Sequence, residues 1–288
     1  MTTPWVRLRA GLNMAHTRWQ RLAATPERER RRRRAQALAA PSSGPVSAAL
    51  VPAELDRDGF SPARLDPALV ERLLAEWHAL ELKRPLRPAA GARTTGKLFF
   101  EELLSNDDLA RFPAFLATAI NPAVLRSVMD TMGMVPHLES VDILASLPSN
   151  SPPSSSQLWH YDVNDERIVK LFVYLEDCGP ENGPFTFIPA VASQRVSSAV
   201  GHYVHDDSIA AHVPRAQWRT VEGEAGTGFF IDTGRCYHFG SRCSKRRVAY
   251  VATYSSGLKF MPRARCWPQL LQARPLAPLQ AAVCGIVA

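Results

Sequence analysis

Gln157-Leu158-Trp159-His160-Tyr161-Asp162 is the stretch on which the reading of this chain turns. In an extended segment, residues two apart project to the same side. His160 and Asp162 therefore share a face, and Tyr161 points away. An imidazole and a carboxylate so placed are two of the three ligands of a 2-His-1-carboxylate triad. That triad fills one face of an octahedral iron(II) ion and leaves three positions open. The openings suit a bidentate 2-oxo acid and then dioxygen. H-x-D alone is frequent by chance, so its weight comes from what surrounds it.

The surroundings are rich in strand signals. Val141, Ile143, Ala145 and Leu147 alternate with other residues. Strands are expected at 156–162, 167–176, 184–189, 217–222, 227–232 and 246–254, separated by Pro, Gly, Asn and Ser turns. Short strands at such spacing indicate a sandwich or barrel. Upstream the pattern is helical. Asp66-Pro67 supplies an N-cap and a first-turn proline, and Leu69, Val70, Leu73, Leu74, Trp77 and Leu80 then recur at helical spacing. Shorter helices are expected over 106–119 and 122–132, the second stopping near Gly133. The polar segment Ser149 to Ser156 lies just ahead of His160, where a mobile loop at a site entrance would sit.

The third ligand should be a histidine on a distant strand, and His238, 76 residues after Asp162, fits. A 2-oxo diacid also needs a cation for its far carboxylate, a task suited to the bidentate fork of arginine. Arg246 and Arg247 open an apolar strand, Val248 to Tyr254. Neighbours on a strand face opposite ways, so one of the pair points inward; Arg247 is the choice, with Arg246 the alternative. Lys170 stands in an apolar strand and is either a cosubstrate contact or an edge residue. Asp232, before the distal histidine, is either a group that orients a ligand or part of a turn. Gln157 and Trp159 are further candidates beside the metal or the substrate.

These pieces sit in a wider pattern: Trp159-His160-Tyr161-Asp162, Lys170 to Asp177 (KLFVYLED), Glu181-Asn182-Gly183-Pro184-Phe185 through Ile188-Pro189, then His238-x-Gly240-Ser241 and Arg247. Over roughly 135–255 this resembles the phytanoyl-CoA dioxygenase family, and Leu55 to Phe60 (LDRDGF) is similar to the usual start of such domains. The resemblance implies a mainly β protein with flanking helices: a double-stranded β-helix (jelly-roll, cupin-like) core preceded by a helical segment. It implies Fe(II), with 2-oxoglutarate and O2 as cosubstrates, succinate and CO2 as co-products, and a small-molecule substrate. Asp162 is the carboxylate that halogenating relatives lack, which favours hydroxylation. The chain departs from the family after Pro189, reading Ala190 to Gln194 (AVASQ) where Gly-Ser-His is common, and in Arg242 to Lys245 (RCSK) before the arginines.

The formal charge of +7 has a local origin. Residues 1–40 hold ten arginines against Glu27 and Glu29, which leaves the remaining 248 residues at −1. The core domain therefore makes no case for nucleic acid, whereas the run Arg30 to Arg34 could contact RNA, anionic lipid or an acidic partner. The organisation expected is a basic, flexible extension over 1–50 containing a short helix with Trp5, Leu8, Leu12 and Trp19. An oxygenase domain over 51–265 follows, helical at about 60–133 and jelly-roll at about 135–256, and then a C-terminal tail over 266–288. Nothing reads as a membrane span or a secretory signal, and a cytoplasmic protein is the default. Five scattered cysteines without C-x-x-C indicate neither a disulfide framework nor a cysteine zinc site. His202, His205 and His212 read as a solvated loop near the mouth. The competing functions are a catalytically silent jelly-roll binding protein and an RNA- or membrane-associated protein acting through the arginine tail.

Overall fold

The computed structural model describes residues 24–39, 52–83, 99–163, 165–196, 202–258, 267–271 and 275–286. Helices α1 (Thr25–Leu38), α2 (Pro52–Asp58) and α3 (Pro67–Lys83) come first, with strand β1 (Phe60–Pro62) between the last two. β2 (Phe100–Glu102), α4 (Asn106–Arg111), α5 (Pro113–Ala119) and α6 (Pro122–Met132) follow. The strands β3 (His137–Ser146), β4 (Ile168–Tyr174), β5 (Phe185–Phe187), β6 (Arg219–Val221), β7 (Gly228–Asp232), β8 (His238–Phe239) and β9 (Arg247–Ser255) make up the second half. Short helices α7 (Ala190–Ser193) and α8 (Asp206–Ala210) lie between β5 and β6, and α9 (Trp267–Leu271) and α10 (Pro278–Val283) come last.

The strands form a six-stranded antiparallel sheet in the order β1-β7-β4-β9-β3-β2 and a three-stranded one in the order β6-β5-β8. This is a jelly-roll core with flanking helices, the fold class expected. The helix starts and stops obey local chemistry. Asn121 accepts from the Ala123 and Val124 amides ahead of Pro122, and α6 ends at Gly133 with φ 64°. Ser105 and Asp108 close a reciprocal capping box on α4.

Alternation along β9 divides the protein into layers. Val248, Tyr250, Ala252 and Tyr254 join the larger core, in which Leu73 and Trp77 of α3, Phe115 of α5 and Val128 of α6 also pack. The two tyrosine hydroxyls donate to the Phe115 and Ala119 carbonyls at 2.7 and 2.6 Å, so their burial leaves no polar atom unpaired. The opposite residues, Arg247, Val251 and Thr253, face a cleft between the sheets. Phe172, Phe185, Phe187 and Phe229 pack beneath that cleft and join the two sheets.

The segment 156–162 departs from expectation. It begins as a 3-10 turn (Ser155–Gln157) and then makes only isolated bridges, Trp159 to Val204 and His160 to His238. The arginine run also behaves differently from a flexible extension. It lies on α1, of which Ala35, like Ala24 just ahead of the helix, is buried in the core. Arg28 reaches Glu166 at 2.7 Å, and Arg31 donates to the Val135 carbonyl. Arg126 donates back to the Leu38 and Ala39 carbonyls at the end of the helix. The rest of 1–50, including Trp5 to Trp19, lies outside the described residues. Beyond 266, Trp267, Leu271 and Val283 are packed into the larger core. Cys178, Cys236, Cys243 and Cys284 are buried free thiols; Cys266 lies outside the described residues. No helix among the described residues is long and apolar enough to cross a membrane.

Candidate metal centre

His160 and His238 are held opposite each other by a two-way backbone bridge: each amide donates to the other's carbonyl at 3.0 Å. Two residues on, the Asp162 amide donates to the Thr233 carbonyl, which turns its side chain toward the same point. Ligand atoms of His160, Asp162 and His238 all lie within 4.8 Å of one another. Hence the three residues converge although the first two do not occupy a continuous strand.

Each histidine has one nitrogen committed. Nδ1 of His160 lies 2.8 Å from the Leu158 carbonyl, and Nδ1 of His238 lies 2.9 Å from the Cys236 carbonyl. A carbonyl can only accept, so each Nδ1 carries the proton and each Nε2 keeps a lone pair for the cluster. Burial lowers both histidines, His160 to about 3, and so favours the neutral form a metal requires. Burial alone would raise the Asp162 carboxyl. Lys170 above all, with His238 and His160, outweighs it and holds the group well below the usual carboxylate range. Two neutral imidazoles and one anionic oxygen donor are a fitting set for iron(II).

The cluster opens on a cleft of about 700 Å³ that also reaches Arg247 and Lys170. Arg247 is only 6% exposed. Its guanidinium donates to the Gly183 carbonyl at 2.6 Å and to the Ser146 and Ser241 hydroxyls at 3.1 and 3.2 Å, while Nε has no partner. Among the described residues no carboxylate pairs with it. Gly183 (φ 60°) could not carry a side chain, because a Cβ there would meet the Arg242 backbone at 2.7 Å. Gly240, two residues after His238, has only 3.1 Å between its Cβ direction and the Arg247 nitrogens, which places that guanidinium close to the His238 strand.

The remaining candidates separate by position. Arg246 points out of the cleft and pairs with Glu81 at 2.6 Å and with Glu176. Lys170 lines the cleft, with its amine 2.6 Å from Oδ2 of Asp162. Gln157 does not reach the metal cluster. It donates to the Ser241 carbonyl and accepts from the Ser154 amide, pinning the entrance turn. Trp159 is fully buried, packs against Trp218 and Phe239, and donates to Asp206. Asp232 pairs with Arg167 at 2.9 Å, away from the ligand atoms.

Sequence reading missed Ser146 and Tyr203; His202, read as part of a loop near the mouth, lines the cleft, and the His202 and Tyr203 rings lie 6.4 and 5.6 Å from that of His160. Ser146 closes an alternating strand and gave no polar signal of its own. His205 and His212 take no part in a metal-ligating group, and His160, Asp162 and His238 form the one such group among the described residues.

No family model and no curated protein matches the chain in sequence. Solved structures match it in shape. One is EctD from S. alaskensis with bound Fe, at 18% identity and a TM-score of 0.53 over 82% of this chain and 89% of that one. A second is the same protein with 2-oxoglutarate and 5-hydroxyectoine, at 16% identity and 0.52 over 83% and 89%. A third is SnoN, a non-haem alpha-ketoglutarate-dependent epimerase from nogalamycin biosynthesis, at 19% identity and 0.52 over 78% and 89%. The chain thus shares its jelly-roll fold with proteins that use iron and 2-oxoglutarate.

Proposed function

We propose that this chain is a non-haem iron(II), 2-oxoglutarate-dependent dioxygenase of the phytanoyl-CoA dioxygenase type, hydroxylating an unactivated C–H bond of a small organic substrate. The observation that carries the reading is a pairing within one cleft. Two neutral imidazole nitrogens and a carboxylate converge, and a buried arginine without a carboxylate partner stands on the same wall. A buried cation is costly unless an anion neutralises it, and a 2-oxo diacid has a carboxylate to spare for it.

In this reading His160, Asp162 and His238 hold the iron, and Arg247 takes the distal carboxylate of 2-oxoglutarate. Ser146, Ser241 and the Gly183 carbonyl keep the guanidinium aimed. Val251 and Phe172 supply an apolar wall for the methylenes of the cosubstrate. When bound, iron with 2-oxoglutarate and dioxygen supplies the oxidant: one oxygen atom goes to succinate as CO2 leaves, and the other goes to the product. His202 and Tyr203 overhang the open side, where the prime substrate would enter.

Anaerobic addition of Fe(II) and then 2-oxoglutarate tests the proposal. A weak visible charge-transfer band is expected, and its absence in the folded protein would favour a binding module without catalysis. A metabolite screen scored by succinate release then identifies the substrate.

A further inference from the structure

Lys170 is an uncommon residue for its place. It stands in the middle of β4, between Val169 and Leu171, which are buried on the helix side. Its register partner on β9 is Thr253, which pairs in turn with Ser140 of β3; all three line the cleft. A threonine or serine would have completed that polar row without bringing a charge.

The charge has a specific destination. Lys170 Nζ lies 2.6 Å from Oδ2 of Asp162, whereas Oδ1 of the same carboxylate is the atom that faces His160 Nε2, at 4.0 Å. The contact joins opposite charges at hydrogen-bond distance. The two oxygens therefore have different neighbours: one looks to the imidazoles and the other to an ammonium.

We propose that Lys170 is a positioning residue that occupies Oδ2 and so makes Asp162 a one-oxygen ligand. This rests on the reading of His160, Asp162 and His238 as iron ligands. Carboxylates bind metals through one oxygen or through both. A chelating Asp162 would fill one of the three positions that a bidentate 2-oxo acid and dioxygen require. An ammonium clamped on Oδ2 prevents that rotation and leaves the cosubstrate its full share of the coordination sphere. It also takes Lys170 out of cosubstrate binding, one of the two roles its sequence setting suggested.

The test uses the full chain, Co(II) as an oxygen-stable probe, and Lys170→Met, Lys170→Gln and Lys170→Arg variants checked for fold by circular dichroism. Lys170→Met should change the Co(II) visible bands before any 2-oxoglutarate is added. It should then weaken 2-oxoglutarate binding by roughly tenfold or more in calorimetry, and Lys170→Arg should restore both. Lys170→Gln keeps a polar side chain, covers the case in which Met does not fold, and should shift the same bands. Wild-type bands in the metal-only Met and Gln proteins overturn the proposal. If 2-oxoglutarate binding nevertheless falls, Lys170 is a cosubstrate contact. Wild-type Co(II) bands that survive His238→Ala would instead sink the iron-site reading itself, a distinct failure.

Discussion

Helix α1 and the metal cleft handle charge in opposite ways. On α1 the arginines are numerous, and several are answered within the helix: Glu27 meets Arg30 and Arg31, and Glu29 meets Arg33, at three- and four-residue spacing. In the cleft the charges are few, but they are enclosed, and Arg247 has no carboxylate opposite it among the described residues. Exposed pairs are worth little because water already solvates both partners, whereas an enclosed cation without its anion is an unmet demand. The excess of basic residues therefore marks the less informative region, and the near-neutral remainder of the chain holds the candidate site.

The comparison can be broken most decisively in the cleft. Asp162→Ala or His238→Ala should abolish the anaerobic Fe(II)/2-oxoglutarate band and succinate release while leaving the fold intact. Full hydroxylation by Asp162→Ala would refute the ligand assignment. Arg247→Met should spare metal binding but weaken 2-oxoglutarate by about 2–5 kcal/mol, the usual scale for truncating one side of an enclosed charge pair; calorimetry on the Co(II) protein reads it. Gly240→Val should act through the same guanidinium. Its Cβ would crowd Arg247 at 3.1 Å, and such overpacking costs about 1–3 kcal/mol, visible as a raised KM for 2-oxoglutarate.

On α1 the effects should be smaller. Glu166→Ala removes the partner of Arg28, a half-buried pair worth about 0.2–1 kcal/mol after solvent screening, so melting should shift by a few degrees at most and the band not at all. Smallest is an acid effect. The Arg30 hydrogen bond, helped by Arg31 and opposed by burial, depresses Glu27 to about 2 from an ordinary value near 4.5. Its contribution is therefore complete above about pH 4.5 and is lost as pH falls toward 2. Helicity by circular dichroism should drop less across that window in Glu27→Gln than in the wild type.

Legibility in the sequence followed how local the deciding contact is. His160 and Asp162 could be paired because they lie two positions apart, and the third histidine because a recognisable Gly-Ser neighbourhood follows it. Alternation showed that Arg246 and Arg247 diverge. Which of them faces inward depends on the Ser146–Arg247 register with β3, a contact 101 residues apart. Trp159 suggested a substrate contact because it adjoins His160, yet its indole is claimed by Asp206 and Trp218, far along the chain. The docking of α1 was hidden for a different reason. Its inward positions 24, 28, 31 and 35 keep helical spacing, but two of them are arginines, which hydropathy reads as solvent-facing.

The divergence of Arg246 and Arg247 also has a mechanical side. Arg246 bolts the start of β9 to Glu81 near the end of α3, and Asn182 grips the Arg246 carbonyl at 2.6 Å. One peptide unit further on, Arg247 enters the cleft. The outer helical layer and the Arg247 wall of the cleft are thus tied together through a single peptide unit. If the proposed function holds, substitutions at Glu81, which lies outside the cleft that holds His160, Asp162 and His238, should therefore register as altered 2-oxoglutarate affinity.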